Sequence, residues 1–140
     1  FLSGIYQQIL RLDYFLQILF KVKLPIVLGK NIICDRYIYD TVINDLAVDM
    51  NYAEEKTKKI LKRYSSILPK PHLVFLIDVP AEVAYQRKGD VPSLSYLEER
   101  RQIYQSIQRE YGMIKLDGTE PLAELERMIQ AQVDECLHGS

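Results

Sequence analysis

An aspartate followed directly by an arginine is the first pair of residues whose types could do chemistry together. Asp35 and Arg36 come at the end of a short apolar run, Ile32-Ile33-Cys34. A carboxylate can hold the water shell of Mg²⁺, and a guanidinium can grip a phosphate with two parallel hydrogen bonds. The pair is therefore suited to phosphate and Mg²⁺ chemistry. The same pair could instead be structural, with Asp35 capping the next helix and Arg36 forming a surface ion pair.

A second group of polar side chains follows Arg36 at helical spacing. Offsets of three, four and seven residues place side chains on one face of a helix. The group comprises Tyr37, Asp40, Thr41 and Asn44. Beside a phosphate site, these polar groups could recognise a base or a sugar. They could equally form a helix cap and a solvated face, and the sequence leaves both interpretations open.

Two later segments could likewise be either functional or structural. Arg87 and Lys88 lead into a loop rich in Gly, Pro and Ser, at about residues 88–95, and the charged residues 98–101 follow it. A loop flanked by arginines resembles a lid that closes over phosphates, although paired surface charges would give the same pattern. The turn 117–119, Asp-Gly-Thr, could place backbone groups against a flat base or be an ordinary glycine turn.

The elements that must position these residues alternate between helix and strand. Apolar residues three and four apart predict helices over 3–20, 39–50, 52–68, 81–87, 94–110 and 121–137. Runs that are apolar on both faces predict buried parallel strands at 31–35, 73–79 and 113–116. This order predicts the α/β class. Three strands are few for 140 residues, which suggests a sheet that is incomplete at its N-terminal side.

Two further predictions concern the first and the last of these helices. Gly29 is expected to end the first helix, which Pro25 interrupts. In the last helix one apolar stripe is expected to face inward, namely Leu122, Leu125, Ile129, Val133 and Cys136.

The composition excludes several classes of protein. A length of 140 residues with 48% apolar and 26% charged residues predicts one globular domain, residues 1–140. A net charge of −1 argues against a broad nucleic-acid surface, and the longest apolar runs are too short to span a membrane. Cys34 and Cys136 lie far apart with no Cys/His cluster, so we expect reduced thiols, no zinc site and a cytoplasmic location.

Four segments in order resemble the thymidylate kinase family of P-loop nucleoside monophosphate kinases. They are Gly-Lys-x-hydrophobic-Asp-Arg-Tyr at 29–37, the run Pro-His-Leu-Val-Phe-Leu-Ile-Asp-Val-Pro-Ala-Glu-Val-Ala ending in an arginine at 71–87, the charged helix at 96–104, and Ile-Lys-Leu-Asp-Gly-Thr-Glu-Pro-Leu at 114–122. The resemblance implies a three-layer, P-loop kinase-like parallel sheet flanked by helices. It implies phosphorylation of a nucleoside monophosphate, first of all dTMP, with ATP and Mg²⁺ as cofactors. It also implies a homodimer formed through the first helix.

The resemblance implies a role for each candidate residue. Asp35 lies near Mg²⁺ and the acceptor phosphate, Arg36 clamps the phosphates of acceptor and donor, and Arg87 joins them in catalysis. The acceptor site is lined by Tyr37, Asp40, Thr41 and Asn44. The lid carries Arg87, Lys88, Arg100 and Arg101. The adenine of ATP lies near Asp117, Gly118 and Thr119.

The sequence departs from the family pattern in two ways. It contains no GxxxxGK[ST] phosphate loop, so we expect the isolated chain to be inactive. Asp40 stands where many members carry serine, which leaves the acceptor open. A non-catalytic nucleotide-binding or protein-interaction domain derived from the same fold is the alternative. A regulator of flavodoxin type, with Asp35 as its acidic site, is a weaker third interpretation.

Overall fold

A computed structural model of the chain describes residues 16–40, 42–43, 54–88 and 91–139. The elements in chain order are a π-helical segment (Leu19–Lys23), α1 (Leu24–Val27), α2 (Ile38–Asp40), α3 (Glu54–Ile67), β1 (Phe75–Asp78), α4 (Ala81–Arg87), α5 (Leu94–Gln108), β2 (Ile114–Asp117) and α6 (Leu122–His138). The helices predicted from residue 52 onward and both later strands are confirmed to within a few residues. Most of the predicted helices at 3–20 and 39–50 lies outside the described residues.

The two strands form a parallel pair. Phe75 lies opposite Ile114 and Asp78 opposite Asp117, so both strands end at the same edge. The pairing continues past this edge, where the amide of Gly118 donates to the carbonyl of Asp78 at 2.8 Å. A Cβ at position 118 would collide with the side chains of Val79 and Ile77. Glycine is therefore required here, because the segments that follow β1 and β2 approach each other closely.

The predicted strand at 31–35 is wrong for the part of the chain that the structure describes. Residues 31–34 have no regular structure, and the side chain of Ile33 is 100% exposed. A strand exists only where its backbone groups pair with a neighbour, and the described strand β1 pairs with β2. An apolar run favours a strand, but it cannot supply that neighbour.

Pro25 and Gly29 act on the first helix as the sequence predicts. Proline lacks an N–H and its ring crowds the carbonyl four residues earlier. The helix accommodates it by a wider π turn at Leu19–Lys23, just before Pro25 in α1. Gly29 has a φ of 75° and donates its amide to the carbonyl of Ile26 at 2.9 Å, which ends the helix.

The core gathers apolar side chains from α2 and the residues just after it, from α3 and from α5. Those that are almost completely buried include Ile38, Val42, Ile43, Leu61 and Ile107. Tyr104 of α5 and Tyr111, which lies just after this helix, pack against this cluster. None of the described helices has both the length and the apolar character needed to cross a lipid bilayer.

The inward stripe predicted for α6 is only partly correct. Leu125 is buried, whereas Leu122 is 70% exposed and Cys136 is exposed. A helix of 17 residues is about 25 Å long, whereas a strand of four residues covers about 13 Å. The two short strands therefore cannot cover the whole stripe.

Candidate functional site

Arg36 lies just before α2 and comes close to Asp40, the last residue of that short helix. Arg36 has a φ of 53°, in the left-handed region that residues other than glycine rarely adopt. A guanidinium nitrogen of Arg36 lies 3.9 Å from Oδ2 of Asp40, and the Arg36 side chain is 67% exposed. The guanidinium is thus near a carboxylate while most of its surface faces solvent. Strained backbone of this kind is concentrated at functional sites.

Tyr104 of α5 joins this pair. Its hydroxyl donates to Oδ1 of Asp40 at 2.9 Å. Burial raises the pKa of Tyr104, and the negative charge of Asp40 raises it further. The positive charges of Arg36 and Arg100 lower it by less. The phenol is thus held in its neutral form, in which it donates to the carboxylate.

A second charged cluster lies where β1 ends. The side chain of Asp78 is only 6% exposed, and Arg101 donates to both of its oxygens, at 2.6 Å and 3.1 Å. Lys115 lies 2.7 Å from Oδ2, and Gln105 donates to the same oxygen at 3.3 Å. These donors hold the pKa of Asp78 well below its usual range, with Arg101 as the largest cause.

Helix α5 connects the two clusters through two adjacent faces. Arg101 and Gln105, four residues apart, both reach Asp78. One position earlier along the helix, Tyr96, Arg100 and Tyr104 form a second row at the same spacing. The guanidinium of Arg100 lies 3.3 Å above the ring of Tyr96, and Tyr104 continues the row to Asp40. The helical repeat thus presents one row to the strand end and the other to α2.

The third group of polar contacts joins α4 to the turn after β2. Arg87 donates to the carbonyl of Gly118 at 3.0 Å. Oδ1 of Asp117 accepts from the backbone amide of Thr119 at 2.9 Å and from its hydroxyl at 2.7 Å. The bonds from Thr119 lower the pKa of Asp117. From the sequence, Arg87 was predicted to act in catalysis and in the lid and this turn to lie near the adenine, and the structure brings the two into contact.

The other predicted site residues are placed as follows. The side chains of Asp35 and Lys88 are exposed. The hydroxyl of Tyr37 donates to the carbonyl of Pro69 at 2.9 Å, which ties the segment after Arg36 to the end of α3. Thr41 and Asn44 lie outside the described residues. Arg101, predicted for the lid, is paired with Asp78, while the lid residues 89 and 90 are not described.

Sequence reasoning missed five residues of these clusters, namely Asp78, Tyr96, Tyr104, Gln105 and Lys115. Asp78 ends an apolar strand as Asp35 ends an apolar run, so the same argument could have selected it. The hydroxyl contact of Tyr104 depends on the packing of α5 against α2, which no local sequence pattern shows. Within the described part of the chain, no three His, Cys, Asp or Glu side chains come close enough to hold a metal ion.

The fold and its contacts first define a class: an α/β protein with parallel strands and charged side chains gathered where the strands end. A sequence model described as thymidylate kinase matches residues 16–129. A curated relative from Metallosphaera sedula, described as "Probable thymidylate kinase", is 36% identical over 102 residues, or 67% of this chain and 48% of the relative. The chain thus belongs to the thymidylate kinase family, and it spans about half the length of that relative. The resemblance drawn from the four segments is confirmed.

Proposed function

We propose that this chain is the C-terminal portion of a kinase that transfers the terminal phosphoryl group of ATP to a nucleoside monophosphate, with dTMP as the first acceptor. Family membership supports the reaction class. The observation that carries the proposal is the exposed guanidinium of Arg36 beside Asp40, whose carboxylate is in turn bound by the Tyr104 hydroxyl. Phosphoryl transfer depends on positioning and on positive groups that neutralise developing charge.

In this proposal the segment from Asp35 to Asn44 serves the acceptor. Arg36, exposed and only loosely paired with Asp40, clamps the phosphates of acceptor and donor. Asp35 is an exposed carboxylate next to it, and carboxylate oxygen is the ligand type that Mg²⁺ with its water shell prefers. Tyr37 anchors the segment, while Thr41 and Asn44 contact the acceptor nucleoside.

The contact between α4 and the turn after β2 serves ATP in the same proposal. Residues 117–119 lie near the adenine, and Arg87, which donates to the carbonyl of Gly118, begins the lid beside them and takes part in catalysis. Lys88 and the loop at about 88–95 form the lid, and Arg100 adds positive charge when the lid closes.

The proposal includes a three-layer P-loop kinase fold, to which this chain contributes one domain, residues 1–140. The 140 residues contain no GxxxxGK[ST] cradle, so we infer that the isolated chain does not turn over. A homodimer through the first helix is part of the proposal, supported by the exposed Leu16 and Phe20 at its described end. The cytoplasmic location stays a prediction from composition.

The test is turnover by the full-length protein with ATP, Mg²⁺ and each of dTMP, dUMP, UMP and CMP. We expect phosphorylation of dTMP, and no turnover by the isolated 140-residue chain. Arg36→Ala should lower kcat/KM by roughly a hundredfold or more without lowering Tm, because a site arginine serves the transition state. The matched control is Arg63→Ala, which removes an exposed arginine on α3.

Three results would contradict parts of the proposal. A full-length protein that binds nucleotide but phosphorylates none of the four acceptors would favour the non-catalytic alternative. Turnover by the isolated chain would show that the missing cradle is not needed. An Arg36→Ala variant with normal kcat/KM and a lowered Tm would give Arg36 a structural role.

A further inference from the structure

The contact between Tyr104 and Asp40 joins residues that are 64 positions apart in the sequence. Tyr104 projects from α5 and packs against the apolar core, so its ring is held by its surroundings. Its hydroxyl donates to one oxygen of the Asp40 carboxylate at 2.9 Å. A hydrogen bond to a charged acceptor is stronger than one between neutral groups. The rotation of the Asp40 carboxylate is thereby fixed from a rigid helix.

The second oxygen of the same carboxylate faces Arg36. Oδ1 of Asp40 is the atom that Tyr104 holds, and Oδ2 is the atom that lies 3.9 Å from the Arg36 guanidinium. Only 28% of the Asp40 side chain is exposed, whereas the Arg36 side chain is 67% exposed. The more deeply placed carboxylate is thus the fixed partner, and the guanidinium is the partner that can move toward a ligand.

We propose that Tyr104 is a positioning residue for Arg36 and that it acts through the carboxylate of Asp40. This inference rests on the proposed function, in which Arg36 clamps phosphates. The long arginine side chain has many rotamers, and each must be restricted before it can meet a phosphate at the right angle. Because the Tyr104 hydroxyl holds one oxygen of the Asp40 carboxylate, the other oxygen can restrict the Arg36 guanidinium. At 3.9 Å it does so without competing closely with a phosphate for the hydrogen-bond donors of the guanidinium.

The proposal assigns Asp40 a different task from direct contact with the acceptor base. Its oxygens face the Tyr104 hydroxyl and the Arg36 guanidinium. A group that orients a phosphate clamp affects every acceptor alike, because all acceptors share the phosphate. A group that contacts the base would affect some acceptors more than others.

The experiment compares Tyr104→Phe and Asp40→Asn with wild type in the full-length protein, using ATP, Mg²⁺ and each of dTMP, dUMP, UMP and CMP. We expect Tyr104→Phe to lower kcat roughly tenfold to a hundredfold, as small misplacements of a catalytic group do, with little change in acceptor KM. Asp40→Asn should lower kcat for all acceptors by a similar factor. The double variant should be no worse than the more impaired single variant, since both changes interrupt one connection.

Tyr111→Phe is the matched control. Tyr111 is also a partly buried tyrosine against the core, and its hydroxyl interacts with Ser65. This variant should lose about as much thermal stability as Tyr104→Phe and keep its kcat.

The outcomes separate this inference from the proposed function. Normal kcat in Tyr104→Phe, alongside an active wild type, overturns the inference and leaves the kinase proposal standing. A change in the relative kcat/KM of the four acceptors in Asp40→Asn also overturns it, because Asp40 would then contact the base. A wild-type protein without turnover removes the proposed function and the inference with it.

Discussion

Asp78 illustrates what a carboxylate needs in order to sit at the end of a covered strand. Removing a charge from water is costly unless opposite charges and hydrogen bonds replace the water. Arg101, Lys115 and Gln105 supply these partners at 2.6–3.3 Å. Lys115 lies opposite Leu76 in the register and reaches Asp78 diagonally on the same face of the pair. The cluster ties α5 to both strands.

This cluster gives the pH dependence of stability a definite sign. The pKa of Asp78 is lowered in the folded protein, so its stabilisation is complete above the unfolded value of about 3.9 and is lost as the pH falls below it. We expect Asp78→Asn to reduce the free energy of unfolding by about 1.5–3 kcal/mol at neutral pH. The difference from wild type should shrink as the pH is lowered through 5 to 3.

Urea unfolding of the full-length protein at a series of pH values measures this difference. The control is Asp134→Asn, which changes an exposed carboxylate on α6 and should stay within about 0.5 kcal/mol of wild type. A gap between Asp78→Asn and wild type that stays constant from pH 7 to pH 3 would rule out the charged cluster as its cause.

At the scale of single elements, α5 matters most because it carries both rows of site contacts. Its first turn is closed by Ser93, whose hydroxyl accepts from the amide of Tyr96 at 3.2 Å. Tyr96 also supports Arg100, so the cap lies directly beneath one of the two rows. The start of this helix therefore affects both stability and the placement of Arg100.

We expect Ser93→Ala to reduce the free energy of unfolding by about 1 kcal/mol, the usual value of an N-cap. Ser95→Ala is the matched control, because Ser95 is exposed and its hydroxyl bonds to that of Ser93 without capping the helix. Chemical denaturation of both variants gives the comparison. Equal losses in the two variants would mean that the cap contributes nothing of its own.

The helices could be predicted because their signals are local. Apolar spacing marked α3 to α6, and Pro25 and Gly29 marked the interruption and the end of the first helix. Both strands of the pair were predicted from their apolar runs. The third strand was not correct, because pairing depends on a neighbour distant in sequence and residues 31–35 have none among the described strands.

The candidate site likewise contains residues that the sequence predicted and residues that it did not. Arg87 and the turn 117–119 were predicted for separate roles, and Arg87 donates to the carbonyl of Gly118. Arg36 and Asp40 were predicted in separate groups, and their side chains come close because the two residues are four positions apart in the sequence. The contacts of Tyr104 and Asp78 require α5 to pack against two other elements at once. No local pattern encodes that packing, so these residues became visible only in the structure.

At the scale of the whole molecule, β1 has one edge that no other described strand covers. It pairs with β2 on its other side, and Ile77 of β1 is 51% exposed. Unpaired backbone groups along a strand edge favour pairing with a further strand. The chain also covers only 48% of the relative to which it is similar. The resemblance to the thymidylate kinase family implies a further strand between residues 31–35 and β1, and we propose this arrangement for the full-length protein.

This proposal predicts a difference in amide hydrogen exchange between two forms of the protein. In the full-length protein, the amides of residues 32–34 should exchange far more slowly than in the isolated 140-residue chain, because strand pairing removes them from solvent. The amide of Leu116, in the pair that the chain already forms, is the control and should be protected in both. Fast exchange at 32–34 in a full-length protein that protects Leu116 would leave this segment unpaired. The segment that supplies the GxxxxGK[ST] phosphate cradle would then have to complete the site without joining residues 31–35 and β1 in one sheet.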